Sequence, residues 1–235
     1  MSKYLWLVRH SESQGNLERR IQGWADFPLT RLGRRQAART AERMAQEEGI
    51  AEIVSSPLAR AAQTAQILGA VSALPVRFDD RLREYNFGPL NGLTRNEIAT
   101  RYPNVAAAWK ANEFWEPLPG EEGEPAFEAR VRAAMDDIVA RMEEETAVAV
   151  VMHGGAMNAC LRSWLGIQGR GWRMFAFDNA SVSMMQLQAR DNPDGNNIYN
   201  YRVILLNDVS HLGDDLLGKR PTWFSAKRAP RRAGD

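Results

Sequence analysis

The chain is nearly without cysteine. Its one cysteine, Cys160, excludes an internal disulfide and any cysteine-rich metal site. No apolar run approaches the ~20 residues that a membrane-spanning helix needs, so no membrane partner is expected. Neither sign of charge dominates: 30 Lys and Arg face 29 Asp and Glu, a net of +1. That balance gives no global pull toward nucleic acid, and none is expected as a partner. Internal repeats are missing, and so is a signal-peptide layout. The opening MSKYLWLVRH reads straight into a strand, which makes a cytoplasmic location the default expectation. What is there is ordinary. The 235 residues, 44% hydrophobic and 25% charged, suit one large soluble domain with a sizeable core. A homo-oligomer is compatible with this composition, which carries no signal of its own for one.

Short apolar runs alternate with amphipathic stretches. Leu5-Trp6-Leu7-Val8 is dense enough for a buried strand, and residues 147–152 (AVAVVM) for a central strand buried on both faces. Residues 50–55 and 75–79 read as further strands. Helical patterns lie between them. One covers 31–48, capped by Thr30 and ended by Gly49. Another runs to about Leu68, with Ser56 as N-cap and Pro57 in the first turn. Thr94 to Glu97 fits a capping box, and 126–145 and 156–165 are further helices. Strand-like 181–189 and 198–206 flank the turn 191–196, an antiparallel hairpin. The whole predicts an α/β fold: a three-layer α/β/α sandwich with a mostly parallel central sheet and an antiparallel C-terminal hairpin. Residues 1–212 would form the catalytic domain, with 102–125, rich in Trp, Pro, Gly and Glu, as a lid-like insertion. From 213 the chain turns basic (Lys219, Arg220, Lys227, Arg228, Arg231, Arg232), which reads as a flexible, solvated tail.

Four strand-to-helix junctions carry chemistry of one kind. The first supplies Arg9, His10 and Asn16. The second supplies Arg60, one turn into a helix whose amino end exposes amides and a positive dipole. The third is the loop with Glu84, expected to be the only acid near the pocket. The fourth supplies His153 and Gly154, again where a helix begins. In such sheets ligands bind at the carboxyl ends of the strands, so all four would converge there. Two arginines, two histidines and helix-end amides suit a dianionic phosphate, because guanidinium forks donate paired hydrogen bonds to oxyanions. A neutral imidazole is a good nucleophile toward phosphorus when one nitrogen holds the proton and the other faces the phosphate. No metal or other cofactor is required, since the positive groups do a metal's electrostatic work. His211 reads as structural and Cys160 as core.

The same residues carry a family resemblance. LVRHSESQGN, then SPLARAAQTA, LREYNFG and VVMHGG, in that order over residues 4–212, resemble the histidine phosphatase superfamily, also called phosphoglycerate-mutase-like. The resemblance implies His10 as the phosphorylated nucleophile, Arg9, Arg60 and His153 as phosphate ligands, and Glu84 as proton donor. Asn16 and Gln22 match positions that hydrogen-bond phosphate in such proteins. Two departures stand out. Ser11 replaces the usual Gly after the nucleophile, and Gly88-Pro89-Leu90-Asn91-Gly92 lacks the usual acid before its second Gly.

Phosphatase and mutase differ in whether water or a second hydroxyl takes the phosphoryl group. The expected lid offers Lys110 but also Glu113, Glu116, Glu121, Glu122 and Glu124, which leans away from a small, highly anionic substrate. Trp109, Phe114 and Trp115 suit either an apolar mouth or the lid's own packing. The expectation is therefore a metal-independent phosphatase acting on a small organic phosphomonoester. Its alternatives are a phosphoglycerate-mutase-type phosphotransferase and a non-catalytic phosphate-binding module.

Overall fold

A computed structural model describes residues 2–111, 116–167, 174–190 and 198–217. The strands are β1 (Ser2–Arg9), β2 (Ile50–Ser55), β3 (Val76–Phe78), β4 (Ala147–Met152), β5 (Val182–Arg190) and β6 (Ile198–Asp208). The helices are α1 (Gln14–Leu17), α2 (Arg31–Met44), α3 (Ala59–Ser72), α4 (Arg95–Arg101), α5 (Pro103–Ala111), α6 (Glu124–Arg141) and α7 (Gly154–Trp164). The six strands form one sheet in the order β3-β2-β4-β1-β5-β6. The β3–β2, β2–β4 and β4–β1 pairs are parallel, and β1–β5 and β5–β6 are antiparallel. The mixed sheet with its C-terminal hairpin is the one that the sequence pattern predicts.

The alternation of side chains along β1 divides the core. Leu5 and Leu7 point to one face and join Phe127, Val131, Met135 and Ile138 of α6 and Met157 of α7. Trp6 and Val8 point to the other and join Met44 of α2 and Ala61, Ala65 and Leu68 of α3. Burying a leucine of this kind stabilises the fold by about 2 kcal/mol, so both faces hold the sheet firmly. Every residue of β4 is buried, as its unbroken apolar run requires. Cys160 is buried in α7, and burial pushes its thiol pKa up. Among the described residues no helix is long and apolar enough to cross a membrane.

Several boundaries differ from the sequence reading, among them α6, which runs over Glu124–Arg141 rather than 126–145. α2 ends at Met44 rather than near Gly49. Gln46 N donates to Arg43 O and Glu47 N to Met44 O, a tightened last turn that satisfies the carbonyls before Gly49 (φ 77°) opens β2. α3 begins at Ala59, and Ser56 is not its N-cap. Instead, Asp26 Oδ1 accepts from the Ala59 amide at 2.6 Å, a cap supplied from another loop. The packed chain also runs past residue 212: Leu216 is buried, and its carbonyl accepts from Gln36 Nε2 at 2.8 Å.

Segment 102–125 packs on the core through Val105, Trp109 and Leu118. Its acids are largely engaged. Glu121 accepts from the Tyr85 hydroxyl, Glu122 pairs with Arg130 and Glu124 with Arg162. Their number therefore says little about the charge of a substrate. Glu113, Phe114 and Trp115, the turn 191–196 and the basic residues from Lys219 onward lie outside the described residues.

Candidate active site

Three adjacent strands, β2, β4 and β1, end side by side. The residue that follows each end belongs to one cluster: Ser56, His153 and His10. Backbone pairing sets the register there. His10 N donates to Met152 O at 2.9 Å and Ser56 N to Val151 O at 3.0 Å. The His10 and His153 rings meet at 5.2 Å between centroids, inclined by 57°. Both are buried, with 3% and 0% of their surface exposed.

His10 Nδ1 lies 2.8 Å from Ser11 O. A carbonyl only accepts, so Nδ1 carries the proton and Nε2 keeps its lone pair. Burial, then Arg60 and Arg9, push the His10 pKa well below its usual value, so the ring is neutral. His153 is lowered in the same way, by burial first and then by Arg60, His10 and Arg9. Its Nε2 sits 2.8 Å from the Ser56 hydroxyl, and its buried Nδ1 has no hydrogen-bond partner among the described residues.

Arg60, in the first turn of α3, is 1% exposed. Its Nη2 donates to Gly23 O at 2.7 Å and Nη1 to Ala25 O at 3.1 Å. Burial lowers its pKa to about 10, which leaves it charged at neutral pH. Arg9 ends β1 and donates through Nη1 to Phe177 O. Burial lowers its pKa too, while Glu84 and Asp178 oppose the shift.

Glu84 reaches the same cluster from the loop after residues 80–82. Its Oε2 accepts from Gly155 N at 3.0 Å and its Oε1 from Tyr85 N at 2.9 Å. A carboxylate has about four lone-pair sites, so capacity remains for a further proton or donor. A Cβ on Gly155 would lie 2.2 Å from Glu84 Oε1, whereas one on Gly154 would meet Arg9 at an ordinary 3.6 Å. Gly155 is therefore the glycine the acid requires. Glu84 is not the only acid here: Asp26 acts on the charge of Arg60, and Asp178 on that of Arg9.

Asn16 and Gln22 stand beside the loop that follows His10. Ser13 Oγ lies 2.9 Å from Asn16 Oδ1 and 2.6 Å from Gln22 Oε1, and Ser13 N donates to Asn16 Oδ1 at 3.1 Å. With the oxygens engaged, each side chain's remaining capacity is its NH2, the half an anion needs. Ser11 is fully buried, and its amide donates to Thr64 Oγ1 at 3.1 Å. It presents no surface to crowd a ligand. Asn91 Oδ1 accepts from Trp24 N at 3.2 Å and from Phe87 N at 3.1 Å, so an amide oxygen serves where the acid is missing.

The structure thus brings together Arg9, His10, Arg60, Glu84, His153 and Gly154, with Asn16 and Gln22 at the edge. His211 lies elsewhere, its Nε2 3.0 Å from Thr40 Oγ1. Sequence reasoning missed four contributors. Ser56 was legible as the third residue after a strand end. Asp26, Asp178 and Asn179 had no such signal. Asn179 Nδ2 and Ala180 N both donate to His10 O, each at 3.2 Å, and so fix the His10 backbone from the β5 side.

A neutral imidazole, a second neutral imidazole 5.2 Å away and the guanidiniums of Arg9 and Arg60 thus gather at the carboxyl edge of an α/β sheet. The chain belongs to the Histidine phosphatase superfamily (branch 1), whose family signature matches residues 5–193. "Probable phosphoglycerate mutase GpmB" of Proteus mirabilis (strain HI4320) is 35% identical over 213 residues, 89% of this chain and 95% of that protein. The native structure of mycobacterial glucosyl-3-phosphoglycerate phosphatase superposes with a TM-score of 0.75 at 30% identity, covering 88% of this chain and 99% of that one. The same mycobacterial phosphatase in complex with inorganic phosphate superposes with a TM-score of 0.71 at 31% identity, covering 88% and 98%.

Proposed function

We propose that this protein hydrolyses an organic phosphomonoester, without a metal, through a phosphoryl group carried on His10. The observation that carries the reading is the His10 ring: its Nδ1–H is held by Ser11 O, and its neutral partner ring lies 5.2 Å away. His10 Nε2 attacks phosphorus, and the P–O bond to the leaving alcohol breaks. Glu84 gives its proton to that oxygen. Water then attacks the phosphohistidine. Glu84 takes a proton from it, the P–N bond breaks, and neutral His10 is restored with inorganic phosphate. Arg9, Arg60 and the Gly154 amide bind the phosphoryl oxygens, with Asn16 and Gln22 at the rim. An incoming dianion opposes the guanidinium repulsion on His153, so that this ring takes a proton from solvent as the dianion binds.

The superposition on a phosphate-bound phosphatase supports hydrolysis. The 35% identity to a protein named as a phosphoglycerate mutase supports the second reading, transfer to another hydroxyl of a phosphoglycerate. A panel of phosphomonoesters including 3-phosphoglycerate and glucosyl-3-phosphoglycerate, assayed for phosphate and for isomerised product, separates them. Phosphate release is expected, and EDTA is expected to leave its rate unchanged. Isomerisation without release favours the mutase. Neither product leaves a non-catalytic phosphate-binding module.

A further inference from the structure

Glu84 sits outside the six-stranded sheet, on the loop after residues 80–82, yet its backbone carbonyl is gripped from two sides. Trp24 Nε1 donates to Glu84 O at 2.8 Å, and Arg130 Nη2 donates to the same oxygen at 2.8 Å. Arg130, from the middle of α6, also donates through Nη1 to Arg81 O at 2.8 Å and Arg83 O at 2.7 Å. One guanidinium thus holds three carbonyls of the acid loop. Glu122 fixes that guanidinium in turn, with contacts to Nε at 2.8 Å and Nη2 at 2.7 Å. It also accepts from Asn86 N at 2.6 Å, further along the same loop. Trp24 connects the acid to the anion pocket, because its neighbours Gly23 and Ala25 are the two carbonyls that Arg60 holds.

We propose that Trp24 and Arg130 are positioning residues for proton donation. Together they set how far the Glu84 carboxyl reaches toward the leaving oxygen. The proposal rests on the reading of Glu84 as the acid. Two donors on one carbonyl fix the peptide against both shift and rotation, and that peptide carries the side chain whose reach decides proton transfer. Misplacing a reacting group by about 1 Å can slow a reaction by about 100-fold, so the loss of one of two clamps is expected to slow it by about tenfold.

The test uses the full-length protein and two substrates. An alkyl phosphomonoester has a leaving group that needs a proton, whereas the nitrophenolate of p-nitrophenyl phosphate needs little. Trp24→Phe removes the indole N–H from a residue 38% exposed, so folding should survive. Arg130→Lys keeps the charge and loses the fork. Each is expected to lower kcat/KM for the alkyl ester by about tenfold and to leave the nitrophenyl ester within about twofold. The double variant should lose less than the product of the two, since both donors serve one oxygen. Equal losses on both substrates, or no loss on either, overturn the proposal. Should Arg130→Lys lower Tm sharply, Trp24→Phe decides alone. Glu84→Gln is run alongside. If it shows the leaving-group selectivity and the clamp variants do not, the clamp fails and the acid stands. If it shows none, the acid reading fails and the clamp falls with it.

Discussion

The His10 half of the site and the Glu84 half are held in place by different means. His10, His153 and Ser56 each follow the last residue of one of three adjacent strands, so backbone ladders and two buried faces fix them. Glu84 lies on an irregular loop fixed by distant side chains: Trp24, Arg130 and, through Asn86, Glu122. The first half inherits the rigidity of the sheet. The second depends on individual hydrogen bonds, each worth about 1 kcal/mol net. Changes in the first half should therefore reach every substrate alike. Changes in the second should appear selectively, where a proton is needed.

The sharpest way to break this contrast is at His10. His10→Ala is expected to lower phosphomonoester hydrolysis by at least about 10,000-fold on every ester, and steady-state kinetics on the two-substrate pair checks it. Arg60→Ala should follow, with a loss of about 100- to 1,000-fold on the nitrophenyl ester and a somewhat larger one on the alkyl ester, since Arg60 also holds the carbonyls on either side of Trp24. Gly155→Ala probes the seam between the halves. Its Cβ would meet Glu84 Oε1 at 2.2 Å, and a flexible carboxylate can swing aside. The expected result is a loss of about tenfold on the alkyl ester alone, with Tm little changed.

The smallest effect concerns stability. Burial first, and Arg60 next, hold both site imidazoles below their usual pKa. In the unfolded chain they titrate near 6.5, so below about that pH the unfolded state takes up protons that the folded state refuses. Stability present above that value is lost as pH falls toward the folded pKa values. The slope is up to about 1.4 kcal/mol per pH unit for each ring. Calorimetric Tm values between about pH 7 and 5 should fall, and fall less in His153→Ala. An unchanged slope in that variant would contradict the burial argument.

The same division explains what was legible in the sequence. Apolar runs such as 5–8 and 147–152 announce buried strands, and strand ends announce where polar residues collect, so Arg9, His10 and His153 could be placed together. The Ser56-Pro57 pair misled because it has the form of a helix start. The hydroxyl is engaged by His153 instead, and the helix waits for Asp26 to cap it. The clamp on Glu84 joins residues 60 and 46 positions apart in the chain, and no local pattern encodes such a pairing. The acid count in segment 102–125 misled for a related reason. Charges in a sequence read as free, while Glu122 and Glu124 are paired with arginines of α6 and α7.

Rapid quenching of the enzyme during turnover of p-nitrophenyl phosphate, at alkaline pH where phosphohistidine survives, tests the central claim most directly. Peptide mass spectrometry should find the phosphoryl group on His10 at a level that rises and then decays with substrate, and should find none in His10→Ala. Turnover with no phosphorylated residue, or with the group on His153 or another side chain, would contradict it.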